Sequence, residues 1–198
     1  MILEGIVTTC DPEGSAHVAP MGPIVDVKMR HLRLRPFQTS TTFANLDRTG
    51  EGVFHVTDDV ELLARAAVGP LDEPPAMRAA EAVRGWILSD ACRWYAFRIT
   101  SCDKSHDRAE MTAEVVDSGR QRDFFGFNRA KHAVVEAAIL ATRTEFLDAE
   151  FIATEFERLR TAVQKTGAEQ EHRAMRFLED FVRSESERWS NVSATQAK

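Results

Sequence analysis

The chain has 198 residues, of which 43% are hydrophobic and 28% are charged, and its formal net charge is −6. This length suits one domain with an appendage, because single domains usually have about 100–150 residues. The acidic balance argues against a nucleic-acid-binding surface, and no apolar run approaches the length of a membrane span or of a signal peptide.

The first predicted elements form a hairpin. Ile2–Thr9 and Ala16–Met21 have the composition of strands, and the Asp11-Pro12-Glu13-Gly14 turn lies between them. A longer strand is predicted for Ile24–Arg35. Its core face carries Leu32 and Leu34, while the opposite face is basic.

Further strands and short helices are predicted up to residue 127. Before the insertion they are a helix at Phe43–Asp47 capped from Thr39–Thr42, a strand at Val53–Thr57 and a helix after Asp58 and Asp59. An irregular Pro-containing insertion begins at Leu71. Two further strands are predicted at Cys92–Ser101 and Arg108–Val116.

The last third is predicted to be helical. Apolar residues recur at helical spacing in Asn128–Thr142, Asp148–Gln164 and Ala168–Trp189, whereas Val192–Lys198 is polar and lacks such a stripe. The predicted organisation is therefore a strand-rich domain of residues 1–127, a helical segment of residues 128–191 and a disordered tail of residues 192–198.

Two segments have the chemistry of an anion site. Thr39-Ser40-Thr41-Thr42 places hydroxyls and backbone N–H groups at a helix start, which suits a phosphate, although such clusters more often only cap a helix. Arg129, Lys131 and His132 follow the capping residue Asn128. Cations at a helix N-terminus oppose the macrodipole by about 0.3–1 kcal/mol each, which a bound anion would offset. The alternative is that these side chains point into solvent.

A third segment, Ala19–Pro23, suits contact with a flat ligand. Its prolines fix the backbone, and Gly22 allows close approach. The alternative is a rigid turn that binds nothing.

A metal site is not expected. The six histidines show neither the i, i+4 pairing nor the cysteine partners of a ligand set, and we expect His55 to be a half-buried strand residue. The three cysteines, Cys10, Cys92 and Cys102, lack the close pairing of a zinc or redox motif. A reduced, cytoplasmic setting fits this composition.

Short motifs follow one another along the chain: Glu4-Gly5-Ile6-Val7-Thr8-Thr9, Gly14, Ala19-Pro20-Met21-Gly22, Thr42-Phe43-Ala44-Asn45-Leu46, Gly52-Val53-Phe54-His55-Val56 and a long stretch from Phe127-Asn128-Arg129-Ala130-Lys131-His132 to Arg143. Their order resembles the flavin reductase-like and pyridoxamine-phosphate-oxidase-like superfamily. More narrowly, it resembles an uncharacterised family of split-barrel proteins from archaea and from bacteria with methanopterin-linked one-carbon metabolism.

This resemblance implies an α+β fold, in which a split antiparallel β-barrel of the FMN-binding type carries a C-terminal helical extension. It also implies a homodimer with two FMN sites at the subunit interface. Ser40, Thr42 and Asn45 would contact the phosphate and ribityl groups of FMN. The ring would be bordered by Pro20, Met21 and Gly22, and the anion site would be completed by Arg129, Lys131 and His132.

The function implied by the resemblance is FMN-dependent oxidoreduction of a small metabolite, with a pterin as a candidate. No catalytic side chain is assigned, because a flavin supplies the redox chemistry and the protein supplies orientation. One alternative is a flavin-binding or carrier protein without catalysis. Another is a structural homodimer that has lost flavin binding.

Overall fold

A computed structural model of the protein describes the backbone of residues 1–196 and the side chains of residues 1–188. The chain forms two compact units. The first unit, the strand unit, contains Met1–Asp58 and Glu73–Phe124. The second, the helical unit, contains Asp59–Asp72 and the chain from Phe125 onward.

The elements of the strand unit are β1 Gly5–Cys10, β2 Ala16–Met21, β3 Ile24–Val25, β4 His31–Leu34, α1 Thr41–Thr49, β5 Glu51–Val56, β6 Met77–Ala79, β7 Trp86–Leu88, β8 Arg93–Asp103 and β9 Glu110–Arg120. Seven of the strands form an antiparallel sheet in the order β2-β1-β5-β8-β9-β4-β3. The predicted hairpin at the N-terminus is confirmed, since β1 and β2 pair from Gly5 opposite Met21 to Cys10 opposite Ala16.

The sheet curls until its far edge meets the residues that precede β1. Ile2 forms an isolated bridge with Ile24 of β3, and the Leu3 N–H donates to the Pro23 carbonyl at 3.1 Å. The Val25 N–H likewise donates to the Met1 carbonyl at 2.9 Å. These bonds satisfy backbone groups that an open edge would expose, and they leave β2 as a flanking edge strand.

Side-chain alternation fills the interior of this curled sheet. Leu32 and Leu34 of β4 are buried while His31 and Arg33 are exposed, as the sequence pattern predicts. The interior cluster is formed by Val7, Val25, Leu32, Leu34, Phe43, Leu46, Phe54, Phe97, Ala109, Met111 and Ala113.

The prediction of one strand over Ile24–Arg35 is wrong, because the chain turns between β3 and β4. The Asp26 carboxylate accepts hydrogen bonds from the backbone N–H groups of Lys28 and His31 at 2.7 and 2.8 Å, and also from that of Arg30. Partial desolvation opposes ionisation of Asp26, but these N–H groups, with the His31 side chain, lower its pKa to about 2. Such carboxylate-to-backbone bonds stabilise a turn in place of an extended strand.

The irregular insertion predicted from Leu71 contains a second, two-stranded sheet, β6 and β7. It covers an outer cluster of Val53, Val83, Ile87, Trp94 and Ala96. Two polar side chains of the main sheet attach β7. The Thr8 hydroxyl donates to the Trp86 carbonyl at 2.5 Å, and His55 Nε2 accepts from the Leu88 N–H at 3.1 Å.

His55 is fully buried, which corrects the expectation of a half-buried residue. Its Nδ1 lies 3.2 Å from the Ile6 carbonyl oxygen. Because Nε2 accepts a hydrogen bond, Nδ1 must carry the proton and the ring is neutral. Burial lowers the pKa of His55 to about 4, against a smaller opposing effect of the Ile6 carbonyl.

The helical unit contains α2 Val60–Val68, α3 Arg129–Ala141, α4 Ala149–Thr166 and α5 Glu169–Gln196. Its helices begin where the sequence predicts. Asp59, Asn128 and Asp148 cap α2, α3 and α4, each accepting a backbone N–H from the first turn. The predicted tail overlaps α5, which is assigned as far as Gln196; the last two residues lie outside the described part of the chain.

Candidate functional site

The N-terminus of α1 is the best-formed anion-binding feature of the strand unit. Ser40 is its N-cap, and the Ser40 hydroxyl accepts from the Phe43 N–H at 3.2 Å and donates to the Phe37 carbonyl at 2.7 Å. The N–H groups of Thr41 and Thr42 lie in the first turn, where no helical acceptor is available to them. They give this end of α1 a partial positive charge.

The hydroxyls of this turn divide into an exposed and a buried set. Thr39 and Thr41 are exposed and Ser40 is half-buried, whereas Thr42 is only 4% exposed. A ligand at this helix end would therefore meet Thr39, Ser40 and Thr41 first. The sequence places Thr39 and Thr41 in this segment but does not single them out as ligands, although the apolar residues Phe43 and Leu46 indicate which face of α1 is buried.

Thr42 and Asn45 lie on that buried face and have partners within the unit. The Asn45 amide donates to the Thr9 hydroxyl at 3.0 Å, and the Thr42 hydroxyl lies 3.2 Å from Nε2 of His17. Asn45 is 3% exposed. Their predicted contact with phosphate or ribityl groups stays a prediction, and the observed bonds give both residues a role in fixing α1 against the β1–β2 hairpin.

Arg108 is a cation near the same helix end that sequence reasoning missed. Its guanidinium carbon lies 3.9 Å from the centroid of the Phe37 ring, and Phe37 precedes the Ser40 cap by one turn of chain. The backbone fixes this pair, because Phe37 and Arg108 form a β-bridge. Arg108 is exposed, so its charge is accessible to an anion.

Pro20, Met21 and Gly22 lie at the far end of the edge strand β2. Pro20 is opposite Ile6, a position that an edge strand tolerates because its outer side needs no N–H donor. A Cβ on Gly22 would lie 2.8 Å from Oε1 of Glu4, so the space beside Gly22 is occupied by the mobile end of another side chain of the same unit. Whether a flat ring also borders this segment stays a prediction.

Arg129, Lys131 and His132 belong to the helical unit, at the start of α3. Asn128 Oδ1 accepts from the backbone N–H groups of Ala130 and Lys131 at 2.8 and 3.1 Å, so the helix end already has acceptors. Lys131 Nζ lies 2.7 Å from Oε1 of Glu171. This carboxylate accounts for the Lys131 charge without a ligand.

Arg129 and His132 remain exposed, and the His132 ring lies edge-on to that of Phe127, with centroids 6.1 Å apart. The predicted role of all three side chains in an anion site stays a prediction.

The residues that the structure describes contain neither a metal-binding cluster nor a membrane-spanning helix. No group of three or more His, Cys, Asp or Glu side chains in that part of the chain could hold a metal ion. No helix there is both long and apolar enough to cross a membrane.

Comparison with protein families gives two adjacent matches. The N-terminal domain model of DUF447, a family described as proteins of unknown function, matches residues 3–122. The DUF447 model for the following region matches residues 128–180. No curated protein matches the chain in sequence.

Solved structures resemble the chain over most of its length or over about three fifths of it. An FMN-bound protein from Methanosarcina mazei, assigned to the DUF447 family, has a TM-score of 0.77 at 20% identity, covering 91% of this chain and 94% of that one.

Two flavin reductases show a more partial likeness. The reductase of styrene monooxygenase from Pseudomonas putida S12 has a TM-score of 0.52 at 16% identity, covering 59% of this chain and 78% of its own. The flavin reductase HpaC, solved with NADP⁺, has a TM-score of 0.54 at 16% identity, covering 63% and 83%. The fold prediction is thereby confirmed: an α+β protein with an antiparallel half-barrel of the flavin reductase-like split-barrel type, followed by C-terminal helices.

Proposed function

Since the chain belongs to the DUF447 family, we propose that it is an FMN-binding flavoprotein and that it acts as an FMN-dependent oxidoreductase on a small metabolite. The observation that carries this proposal is the likeness to the FMN-bound Methanosarcina mazei protein, which extends over 91% of the chain and so includes the helical region as well as the barrel.

The residues of the strand unit suit the phosphate end of FMN. The first turn of α1 offers N–H groups and the hydroxyls of Thr39, Ser40 and Thr41, and Arg108 adds a full positive charge beside Phe37. Backbone donors together with one cation are the usual means of holding a phosphate. The positive charge at this site is local, so the net charge of −6 for the whole chain does not argue against phosphate binding here.

The edge strand β2 is long enough to connect this anion site with a ring site. His17 touches α1 through Thr42, and Met21 follows four residues later, which is about 13 Å along an extended strand. FMN is itself extended, with its ring and its phosphate at opposite ends. When bound, it would supply hydride or single-electron transfer, and the chain would contribute binding, orientation and exclusion of water.

Replacing Arg108 with Gln should weaken FMN binding about tenfold at low salt, equivalent to about 1.4 kcal/mol, because one exposed charge–phosphate interaction is lost. The loss should shrink at high salt, since exposed charges are screened over about 8–10 Å. Quenching of flavin fluorescence on titration with the protein measures both affinities. Riboflavin, which lacks the phosphate, should bind the variant and the parent equally.

Arg30→Gln is a matched control for that experiment. Arg30 is exposed, and its carbonyl accepts from the Val115 N–H at 2.9 Å. Val115 lies in β9, seven residues after Arg108 in the chain, and an extended segment of that length spans about 23 Å. An Arg108 variant that binds FMN as tightly as the Arg30 control would remove Arg108 from the phosphate site.

We also propose the homodimer that the resemblance implies. Four phenylalanines of the helical unit are at least half exposed: Phe125, Phe127, Phe146 and Phe151 are 87%, 95%, 81% and 50% exposed. Burial between two copies would remove this apolar surface from water. Light scattering during size-exclusion chromatography should give twice the 22.2 kDa chain mass, and a 22.2 kDa particle at micromolar concentration would contradict the dimer.

Catalysis and simple flavin binding predict different results once FMN is bound. An oxidoreductase should oxidise a nicotinamide cofactor or another donor, whereas a carrier should bind FMN and turn nothing over. A structural homodimer without a flavin site should bind no FMN. A pterin acceptor and a cytoplasmic location remain parts of the proposal that rest on the resemblance and on composition.

A further inference from the structure

His17 occupies a particular place in the strand unit, because it joins two elements that the proposed ligand would contact. It lies on the edge strand β2 opposite Thr9 of β1, and its Nε2 is 3.2 Å from the Thr42 hydroxyl of α1. Among the described residues, this is the side-chain hydrogen bond that links α1 to β2. The other side-chain bonds of α1 to the hairpin run from Asn45 and Arg48 to β1.

The surroundings of His17 contain little charge. The negative charge of Asp11, in the β1–β2 turn, raises the pKa of His17. From β1 and α1 the facing groups are the uncharged side chains of Thr9 and Thr42. The charged residues of α1, Asp47 and Arg48, lie at its C-terminal end, where Asp47 pairs with Lys104 and Arg48 bonds to the Cys10 carbonyl.

We propose that His17 takes up a proton when the FMN phosphate binds at the first turn of α1, so that retention of FMN depends on pH. This inference rests on the proposed function. The neutral ring suits the ligand-free protein, because half-burial lowers the pKa of His17 more than the Asp11 charge raises it. A phosphate dianion near Thr42 would favour the imidazolium by direct attraction.

The linkage is reciprocal, so whatever FMN does to the proton affinity of His17, the proton does to FMN affinity. His17 should therefore strengthen FMN binding as the pH falls through its pKa. The phosphate of FMN acts in the opposite sense, because its second pKa is about 6 and its monoanion binds less well. The contribution of His17 is isolated by comparing the parent protein with a His17 variant at each pH, because the FMN phosphate titrates equally in both.

Direct observation comes from NMR titration of the His17 ring in the full chain, alone, with FMN and with riboflavin. FMN should raise the pKa of His17 by about one unit or more, and riboflavin should leave it unchanged. His31 serves as an internal control, since it is exposed and pairs with Asp26 in the β3–β4 turn. Its ring signals should be the same in all three samples.

His17→Gln provides the matched variant, because a glutamine nitrogen can replace Nε2 beside Thr42 without titrating. The measured quantity is the ratio of the variant's FMN dissociation constant to that of the parent. For each unit by which FMN raises the pKa of His17, this ratio should rise about tenfold as the pH is lowered through the pKa values of His17 with and without FMN. A ratio that does not change with pH, or a His17 pKa unmoved by bound FMN, overturns the inference and leaves the proposed function intact. Absence of FMN binding to the parent protein would overturn both.

Discussion

Replacing Lys131 with Met is expected to lower the free energy of unfolding of the protein by about 3 kcal/mol, because it leaves a buried carboxylate without its cation. Lys131 Nζ lies 2.7 Å from Glu171 Oε1, and the two side chains are only 16% and 5% exposed. The second oxygen of Glu171 accepts the Ala168 N–H at 2.8 Å, just before α5 begins. The pair thus connects the first turn of α3 to the first turn of α5.

The carboxylate of Glu171 responds to pH in a defined direction. Burial would raise its pKa, but the hydrogen bonds from Lys131 and Ala168 lower it below the usual value. A carboxyl group with a lowered pKa in the folded state adds stability at neutral pH, and this stability is lost as the pH falls below the ordinary glutamate range of about 4.3. The Lys131→Met variant should show less of this acid dependence than the parent.

Urea denaturation followed by circular dichroism measures this effect, and Arg129→Gln is the matched control because Arg129 is an exposed cation of the same turn. The control should lie within about 0.5 kcal/mol of the parent. The double variant Lys131→Met, Glu171→Leu should recover much of the loss, because it removes both charges. Equal stability of Lys131→Met and the parent would show that the ion pair does not stabilise the helical unit.

Substitutions at the same two positions, Arg129 and Lys131, also test the predicted second anion site. If Arg129 and Lys131 contact the FMN phosphate, changing both to Ala should weaken FMN more at low salt than at high salt. Unchanged FMN affinity in both salts, together with the loss of stability in Lys131→Met, would assign Lys131 to Glu171 alone.

Lowering the pH from about 7 to about 4 is expected to remove about 3 kcal/mol of stability through His55 alone. The pKa of the buried, neutral ring is lowered to about 4, so the unfolded chain binds a proton there more readily than the folded chain does. Stability from this residue is therefore complete above the unfolded pKa of about 6.5 and is lost progressively as the pH falls from there to the folded pKa of about 4. Protonation would convert Nε2 into a donor facing the Leu88 N–H.

His55→Gln isolates this contribution, since its side chain can accept from Leu88 but does not titrate. Tryptophan fluorescence in a Trp189→Phe background reports on Trp86 and Trp94, which lie in or beside the β6–β7 sheet. Between pH 7 and pH 4 the parent should lose about 3 kcal/mol more than the variant. If the stability of the parent and that of His55→Gln changed equally with pH, His55 would not be held neutral by burial.

The sequence predicts those parts of the fold that depend on local pattern. The alternation of Leu32 and Leu34, the turn after β1, and the caps Ser40 and Asn128 all follow from neighbouring residues. The turn at Asp26 is missed because it interrupts an otherwise strand-like stretch, and only the three-dimensional path brings several N–H groups to one carboxylate.

The β6–β7 sheet is missed for a related reason. Its strands have three residues each, which is too short for an alternation to be recognised. Its attachment relies on Thr8 and His55, which lie far away in the sequence.

The candidate site is predicted in outline but not in its charges. Sequence reasoning locates the first turn of α1, because hydroxyl clusters before a helix have a local signature. It cannot connect Arg108 with Phe37, nor Lys131 with Glu171, because these pairs are formed by chain segments distant in sequence. Lys131, which the sequence offers as a cation for a ligand, therefore already has a carboxylate partner in the fold.

The most direct test of the account is the absorbance spectrum of the purified protein between about 300 and 550 nm, recorded after adding FMN and removing unbound flavin on a desalting column. Retention of about one FMN per chain is the predicted result, and it should persist in Arg30→Gln and decrease in Arg108→Gln. Absence of retained flavin at micromolar protein, with the fold intact by circular dichroism, would contradict the proposal and favour a structural role for this split barrel.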